Sequence, residues 1–103
     1  MQFAEWEISI ILYYLHIYVI IKKHTTLHGE KIRLNYSNTE LVNDINDINN
    51  PIIKECLKLL EIDDRIYIST ISDAPPEAGL GSSSSFAVGL LHALYKFKGI
   101  YEI

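Results

Sequence analysis

The chain has 103 residues, which is enough for one domain but too short for a complete large enzyme. Hydrophobic residues make up 49% and charged residues 21%, a composition that can bury a core and argues against global disorder. The formal net charge of −4 at pH 7 argues against nucleic acid as a partner, because an acidic domain does not attract a phosphate backbone.

An uncharged apolar run extends from Ile8 to Ile21. It is shorter than the roughly 20 apolar residues that a transmembrane helix needs, and its many isoleucines and tyrosines favour a strand. The run follows an acidic leader, so it does not resemble a signal peptide. The single cysteine, Cys56, cannot form an internal disulfide, which fits a reducing compartment. We therefore expect a cytoplasmic protein without a membrane partner.

The next segments alternate apolar and polar residues, which is typical of half-buried strands. We predict an antiparallel hairpin from approximately Leu15 to Lys22 and from Lys31 to Tyr36. The polar, asparagine-rich stretch from Ser37 to Asn50 fits a weakly amphipathic helix or a long loop, and the sequence does not decide between them.

A clearer helix is predicted from Asn50 and Pro51, since asparagine caps free amides and proline fits the first helical position. Its buried stripe would consist of Ile53, Cys56, Leu57 and Leu60. Alternation from Arg65 to Ser72 then predicts a strand, which the prolines after Asp73 must end. A final helix is expected from about Ser82 to Phe97, and Gly99 is a plausible stop.

The segment between that strand and that helix, Pro75 to Ser85, contains Gly79-Leu80-Gly81 followed by four serines. Glycines directly before a helix let the backbone approach a ligand, and the free amides of the helix start favour an anion such as phosphate. The serine hydroxyls can donate to phosphate oxygens or bind Mg²⁺. A flexible linker is the alternative for such a run, but its place between a strand and an amphipathic helix favours a phosphate-binding loop.

Three familiar motifs do not fit this segment. A Walker A loop requires a lysine, and none stands between Asp73 and Tyr95. The dinucleotide fingerprint needs a third glycine at the position of Ser84, and an esterase elbow needs one at Ser85. A P-loop NTPase, a dinucleotide-binding fold and a serine hydrolase are therefore excluded.

The segment resembles the second motif of the GHMP kinases, a proline followed by Gly-Leu-Gly-Ser-Ser and small residues. Together with the following helix it looks most like the sugar-kinase branch that includes D-glycero-D-manno-heptose 7-phosphate kinase. The weaker resemblance reaches back to about Ile17. It implies an incomplete α+β domain similar to domain 2 of ribosomal protein S5, with a β-hairpin, helix, strand, glycine-rich loop and helix.

The resemblance also implies a binding site for ATP. The residues that would surround its phosphates are Gly79, Leu80, Gly81, Ser82, Ser83 and Ser84. Of these, Ser83 would also bind Mg²⁺. Glu77 and Ala78 depart from the small residues usual in the family.

We therefore expect residues 17–103 to be part of an ATP-binding kinase domain whose full-length relatives phosphorylate a sugar or sugar phosphate. Residues 1–16 are left unassigned, because they do not resemble the family's first, acceptor-binding motif. The catalytic aspartate of the family has no counterpart in the matching residues, so no catalytic residue is assigned and the fragment is expected to be inactive alone. The alternative is a small non-enzymatic protein whose apolar N-terminal run binds a partner or a membrane surface.

The remaining polar residues give weaker signals. His24 and His28 are four positions apart but lack a nearby cysteine or carboxylate pair, so they are expected to be solvated rather than metal ligands. Cys56 is expected to be a small core residue. Asp73 could reach a metal in the loop, although an aspartate before Ala-Pro-Pro more often caps a turn.

Overall fold

The computed structural model describes residues 9–14, 17–24, 29–62, 65–72 and 82–101, with the backbone alone at 9–14, 82–85 and 100–101. A short 3₁₀ helix lies at Ile45–Asp47. The longer elements in this part of the chain are β1 (Ser9–Tyr14), β2 (Ile17–Lys23), β3 (Ile32–Asn35), β4 (Thr39–Val42), α1 (Pro51–Leu59), β5 (Ile66–Ser72) and α2 (Ser82–Tyr101). The mixed α+β class is as predicted.

The strands form one sheet in the order β1-β2-β5-β3-β4. The central strand, β5, runs antiparallel to β2 and parallel to β3. The predicted hairpin of residues 15–22 with 31–36 is therefore wrong, because β5 lies between the two segments. Parallel pairing of β3 with β5 is possible because α1 lies in the long connection between them, as a parallel pair requires.

The apolar N-terminal run forms two strands, as its composition predicts. β1 and β2 pair antiparallel, from Ser9 opposite Lys22 to Tyr14 opposite Ile17. Within the described part of the chain, no helix is long and apolar enough to cross a membrane. Residues 9–14 thus belong to the same sheet as the strands that follow, while the division of the chain at residue 16 stays a prediction.

The asparagine-rich stretch is neither a helix nor a long loop. It contains β4, which pairs antiparallel with β3, and then the 3₁₀ helix. Asp44 caps this helix by accepting a hydrogen bond from the amide of Asn46 at 2.9 Å. The spacing of Leu41 and Val42 imitates a helical stripe, but the two residues are consecutive strand positions on opposite faces.

Helix α1 begins as predicted. Asn50 Oδ1 accepts hydrogen bonds from the amides of Ile52 and Ile53, both at 3.0 Å, and Pro51 occupies the first turn. The predicted stripe is buried at Ile53, Cys56 and Leu57 and half-buried at Leu60. The helix ends in a turn in which Glu61 has a φ of 55° and the Ile62 amide donates to the Leu57 carbonyl at 2.9 Å.

One hydrophobic core joins a single face of the sheet to both helices. The sheet contributes Val19, Ile21, Ile32, Leu34, Ile66 and Ile68. Helix α2 contributes Leu90, Ala93, Leu94 and Phe97, with Phe86 packed at the edge. The predicted stop at Gly99 is wrong, since α2 continues to Tyr101. One glycine costs a helix only about 1 kcal/mol, and the packed side of α2 outweighs that cost.

Candidate functional site

The candidate site lies between the central strand and the last helix. β5 ends at Ser72, which is exposed, and α2 begins at Ser82. Residues 73–81 join them and lie outside the described residues, so the structure gives the two ends of the predicted loop. The predicted strand before the glycine-rich segment and the predicted helix after it are confirmed.

The residues predicted to bind the ATP phosphates fall into two groups. Gly79, Leu80 and Gly81 lie outside the described residues. The first turn of α2 contains Ser82, Ser83 and Ser84, of which the structure describes only the backbone. A helix start presents unpaired amides and the positive end of the helix dipole, so this backbone suits an anion. The phosphate contacts of the six residues and the Mg²⁺ contact of Ser83 stay predictions.

The position of α2 is fixed by packing and by a polar contact of Lys98. Its apolar side contacts β1, β2 and α1. Near its C-terminal end, Lys98 Nζ donates a hydrogen bond to the backbone carbonyl of Leu60 at 2.6 Å. This bond ties α2 to the carbonyl end of α1, where a positive charge also complements the helix dipole. The first turn of α2 therefore projects from a helix that is held along its length.

The start of α1 is held by a buried carboxylate, Glu40, on the core face of the edge strand β4. Its oxygens accept hydrogen bonds from the backbone amides of Asn49 at 2.7 Å and Asn50 at 3.1 Å, and from the hydroxyl of Tyr36. Only 8% of Glu40 is exposed. The carboxylate fixes the residues that cap α1, which in turn packs against α2.

The same hydrogen bonds determine the protonation states of Glu40 and Tyr36. Burial opposes the charged form of Glu40, but the Asn49 amide, the Tyr36 hydroxyl and the Asn50 amide outweigh it and hold its pKa below the ordinary value. Burial, followed by the charge and hydrogen bond of Glu40, raises the pKa of Tyr36. An ionised Glu40 that accepts from a neutral Tyr36 is thus the stable arrangement near neutral pH.

Glu40 was missed by the sequence analysis. A glutamate in a polar stretch is ordinarily exposed, and the amides that bind it lie nine and ten residues away. Its partner opposite in β3 is the buried Leu34, and the strand pairing that reveals this is not visible in the sequence.

His24 is not the solvated residue that was predicted. It is buried, and its Nε2 lies 3.3 Å from Oε1 of Glu30. A hydrogen bond from its own backbone amide lowers the pKa of Glu30 against the opposing effect of burial, and His24 and Arg33 lower it further. Among the described residues, no group of three or more His, Cys, Asp or Glu side chains could hold a metal ion. His28 and Asp73 lie outside those residues.

Comparison with known proteins supports one family. Residues 51–101 match the family model of the GHMP kinases N terminal domain. The match covers α1, β5, the connecting residues 73–81 and α2. A search of curated proteins finds no matching relative. The match supports the predicted GHMP kinase family; it does not extend to the sugar-kinase branch.

Proposed function

Since the family match supports a GHMP kinase, we propose that this chain is the ATP-binding part of such a kinase and that residues 79–84 surround the ATP phosphates. The observation that carries the proposal is the match over residues 51–101, which includes the strand, the glycine-rich connection and the helix in one stretch. GHMP kinases use ATP as the phosphoryl donor, which agrees with an anion site at the start of α2.

Three features of the chain support this role for the loop. β5 is the central strand, and its end at Ser72 is held by pairing with Ile17 of β2, while its pairing with β3 ends at Ser69. Helix α2 begins at Ser82 and is fixed by the core and by Lys98. Gly79 and Gly81 then supply backbone without side chains directly before the helix, where a phosphate must approach closely.

The finer assignments rest on the resemblance. The Gly-Leu-Gly-Ser-Ser motif and the helix after it support a sugar or sugar phosphate as the acceptor and a domain similar to that of ribosomal protein S5. When bound, Mg²⁺ would neutralise phosphate charge, and Ser83 is the residue that would hold it. The resemblance assigns no residue to acceptor binding or to the catalytic aspartate, so we expect the chain to bind ATP without transferring its phosphate. The lone buried Cys56 supports a cytoplasmic location.

Titration of ATP, with and without Mg²⁺, into the isotope-labelled chain tests the proposal by NMR. We expect amide shifts at residues 79–85 and millimolar affinity, since the helix dipole supplies only about 1 to 2 kcal/mol besides the amide hydrogen bonds. Gly81→Val should abolish these shifts by blocking the approach of the phosphate. Ser83→Ala should weaken only the part of the affinity that depends on Mg²⁺.

Two variants serve as matched controls. Gly99→Val adds the same side chain at an exposed helix position where an added Cβ meets nothing within 4 Å, and Ser37→Ala removes an exposed hydroxyl in the turn between β3 and β4. Both should bind ATP as the wild type does. If the folded wild type shows no shift at residues 79–85 with saturating Mg-ATP, the loop does not bind phosphate and the proposed function is wrong.

A further inference from the structure

The sheet has a second face, opposite the one that packs on the helices. Several of its side chains are exposed, including the apolar residues Tyr18 (39% exposed), Leu41 (53%) and Ile71 (54%). Lys22 and Arg33 are exposed on the same face. A surface that combines apolar side chains with charges of one sign is typical of a binding surface.

A row of three residues crosses the middle of this face. Tyr67 in β5 is opposite Lys22 in β2 and opposite Arg33 in β3. Both cations lean over its ring, with Lys22 Nζ 5.4 Å and Arg33 Cζ 5.7 Å from the ring centroid. We call Lys22, Tyr67 and Arg33 the cationic row. The ring holds the two charges in place by cation–π attraction.

Within the described part of the chain, no carboxylate lies within ion-pair distance of Lys22 or Arg33, although the charge of Glu30 and that of Arg33 attract each other from further away. The nearby carboxylate, Glu30, is instead bound to His24 at 3.3 Å. The chain as a whole has a net charge of −4, so the row is a local positive surface on an acidic protein. Such a surface attracts a negatively charged partner, and it repels the same positive row of a second copy, which disfavours a symmetric dimer through this face.

We propose that the cationic row binds an acidic polypeptide segment in an extended conformation. Lys22 and Arg33 lie on strands that are separated by β5, so their backbones are about 10 Å apart. An extended chain places every second side chain on one side, about 7 Å apart, which lets two carboxylates meet the two cations separately. A single phosphate ion has no such span.

An apolar neighbour of the row, Leu41, favours a polypeptide as well. Leu41 is opposite Arg33 in the register of β3 and β4, so it continues the row beyond that cation. Tyr18 and Ile71 are opposite each other further along β2 and β5. These two residues lie four positions along the strands from Lys22 and Tyr67, about 13 Å to the side of the row. A segment that follows the row across the five strands covers about 19 Å, or roughly six residues, and can place an apolar side chain on Leu41.

The test uses two synthetic octapeptides, one alternating glutamate with threonine and the other alternating glutamine with threonine. Each is titrated into the full-length labelled chain at about 20 mM salt, where electrostatic attraction is weakly screened. We expect the glutamate peptide to shift the amides of Lys22, Arg33 and Tyr67, and the glutamine peptide to leave them unchanged. Higher salt should weaken the binding.

Two double variants distinguish the effect of the cationic row on peptide binding from the effect of net charge. Lys22→Gln/Arg33→Gln should bind the glutamate peptide about tenfold more weakly, as expected from the loss of two exposed charge contacts. The control Lys58→Gln/Lys96→Gln changes the net charge equally at two exposed helix positions, and it should bind as the wild type does. Circular dichroism checks that all variants remain folded.

Four results would overturn the proposal. One is binding of the two peptides with equal affinity, and another is an equal loss in both double variants. A third is inorganic phosphate shifting the same amides with the same affinity as the peptide, which would make the row a small-anion site. The last is that the Glu5→Gln/Glu7→Gln variant binds the glutamate peptide more than tenfold more tightly than the wild type does. The chain's own glutamates would then be what the cationic row binds. Shifts confined to the row and lost only in Lys22→Gln/Arg33→Gln support the proposal.

Discussion

Replacing the buried carboxylate of Glu40 is expected to destabilise the protein through the start of α1. In Glu40→Gln, the remaining carbonyl oxygen can keep the bond from the Asn49 amide, which is the shorter of the two amide bonds at 2.7 Å. The new NH2 group only donates, so it cannot accept from the Asn50 amide or from the Tyr36 hydroxyl, although the hydroxyl can turn to accept from it. Loss of charge-assisted bonds and one unsatisfied buried donor together give an expected loss of about 2 to 3 kcal/mol at pH 7.

The pH dependence of the free energy of unfolding gives a second, independent test of the role of Glu40. The pKa of Glu40 is lowered in the folded state, so its contribution is fully present above the unfolded value of about 4.3. The contribution is lost as pH falls through the lowered folded pKa, because the protonated carboxyl no longer accepts these bonds as an anion. The stabilities of wild type and Glu40→Gln should therefore converge in acid.

Urea unfolding followed by circular dichroism, repeated over a series of pH values, measures both effects. Tyr36→Phe removes one of the three bonds and should cost about 1 kcal/mol, and the double variant should lose less than the sum because the two residues share a bond. Glu55→Gln is the matched control, since it removes the same charge at an exposed position on α1 and should change stability by less than about 0.5 kcal/mol. A cost for Glu40→Gln no larger than that of Glu55→Gln, or one that is independent of pH, refutes the stabilising role of the hydrogen bonds to Glu40.

Two further predictions concern the helices. Gly99→Ala should raise the free energy of unfolding by about 0.5 to 1 kcal/mol in urea titrations, because an added Cβ meets nothing within 4 Å in the helical turn; a loss of stability would contradict the helical assignment there. Cys56 should react slowly with a thiol reagent in the native protein and at the rate of a free thiol in urea, since burial, and then the charge of Glu55, raises its pKa; equal rates would show that Cys56 is not buried.

The sequence predicts those elements whose signals are local. The cap at Asn50 and Pro51, the alternation along β5 and the start of α2 at Ser82 each depend on a few neighbouring residues. The incorrect hairpin has the opposite cause, because adjacency along the chain favours pairing β2 with β3. Burial on the core face and the crossover through α1 instead bring β5 between them.

The same distinction between local signals and long-range contacts applies to the functional residues. The glycines and serines of residues 79–84 are recognisable as a motif because the chemistry needs them consecutively. The cluster at Glu40 and the row of Lys22, Tyr67 and Arg33 combine residues from two or three elements. Their members have no spacing that marks them, so the sheet register must be known before they can be found.

The late position of β5 in the chain has a consequence for biosynthesis. The pairs β1–β2 and β3–β4 are joined in the sheet through β5, and β5 follows α1 along the chain. A nascent chain that ends before Ile66 therefore exposes the inner edges of β2 and β3, with unpaired backbone groups that favour aggregation. The sheet closes only after residue 72 has left the ribosome, and the required long-range pairing is intrinsically slow. Synthesis that pauses just before β5 should therefore give the species most dependent on chaperones.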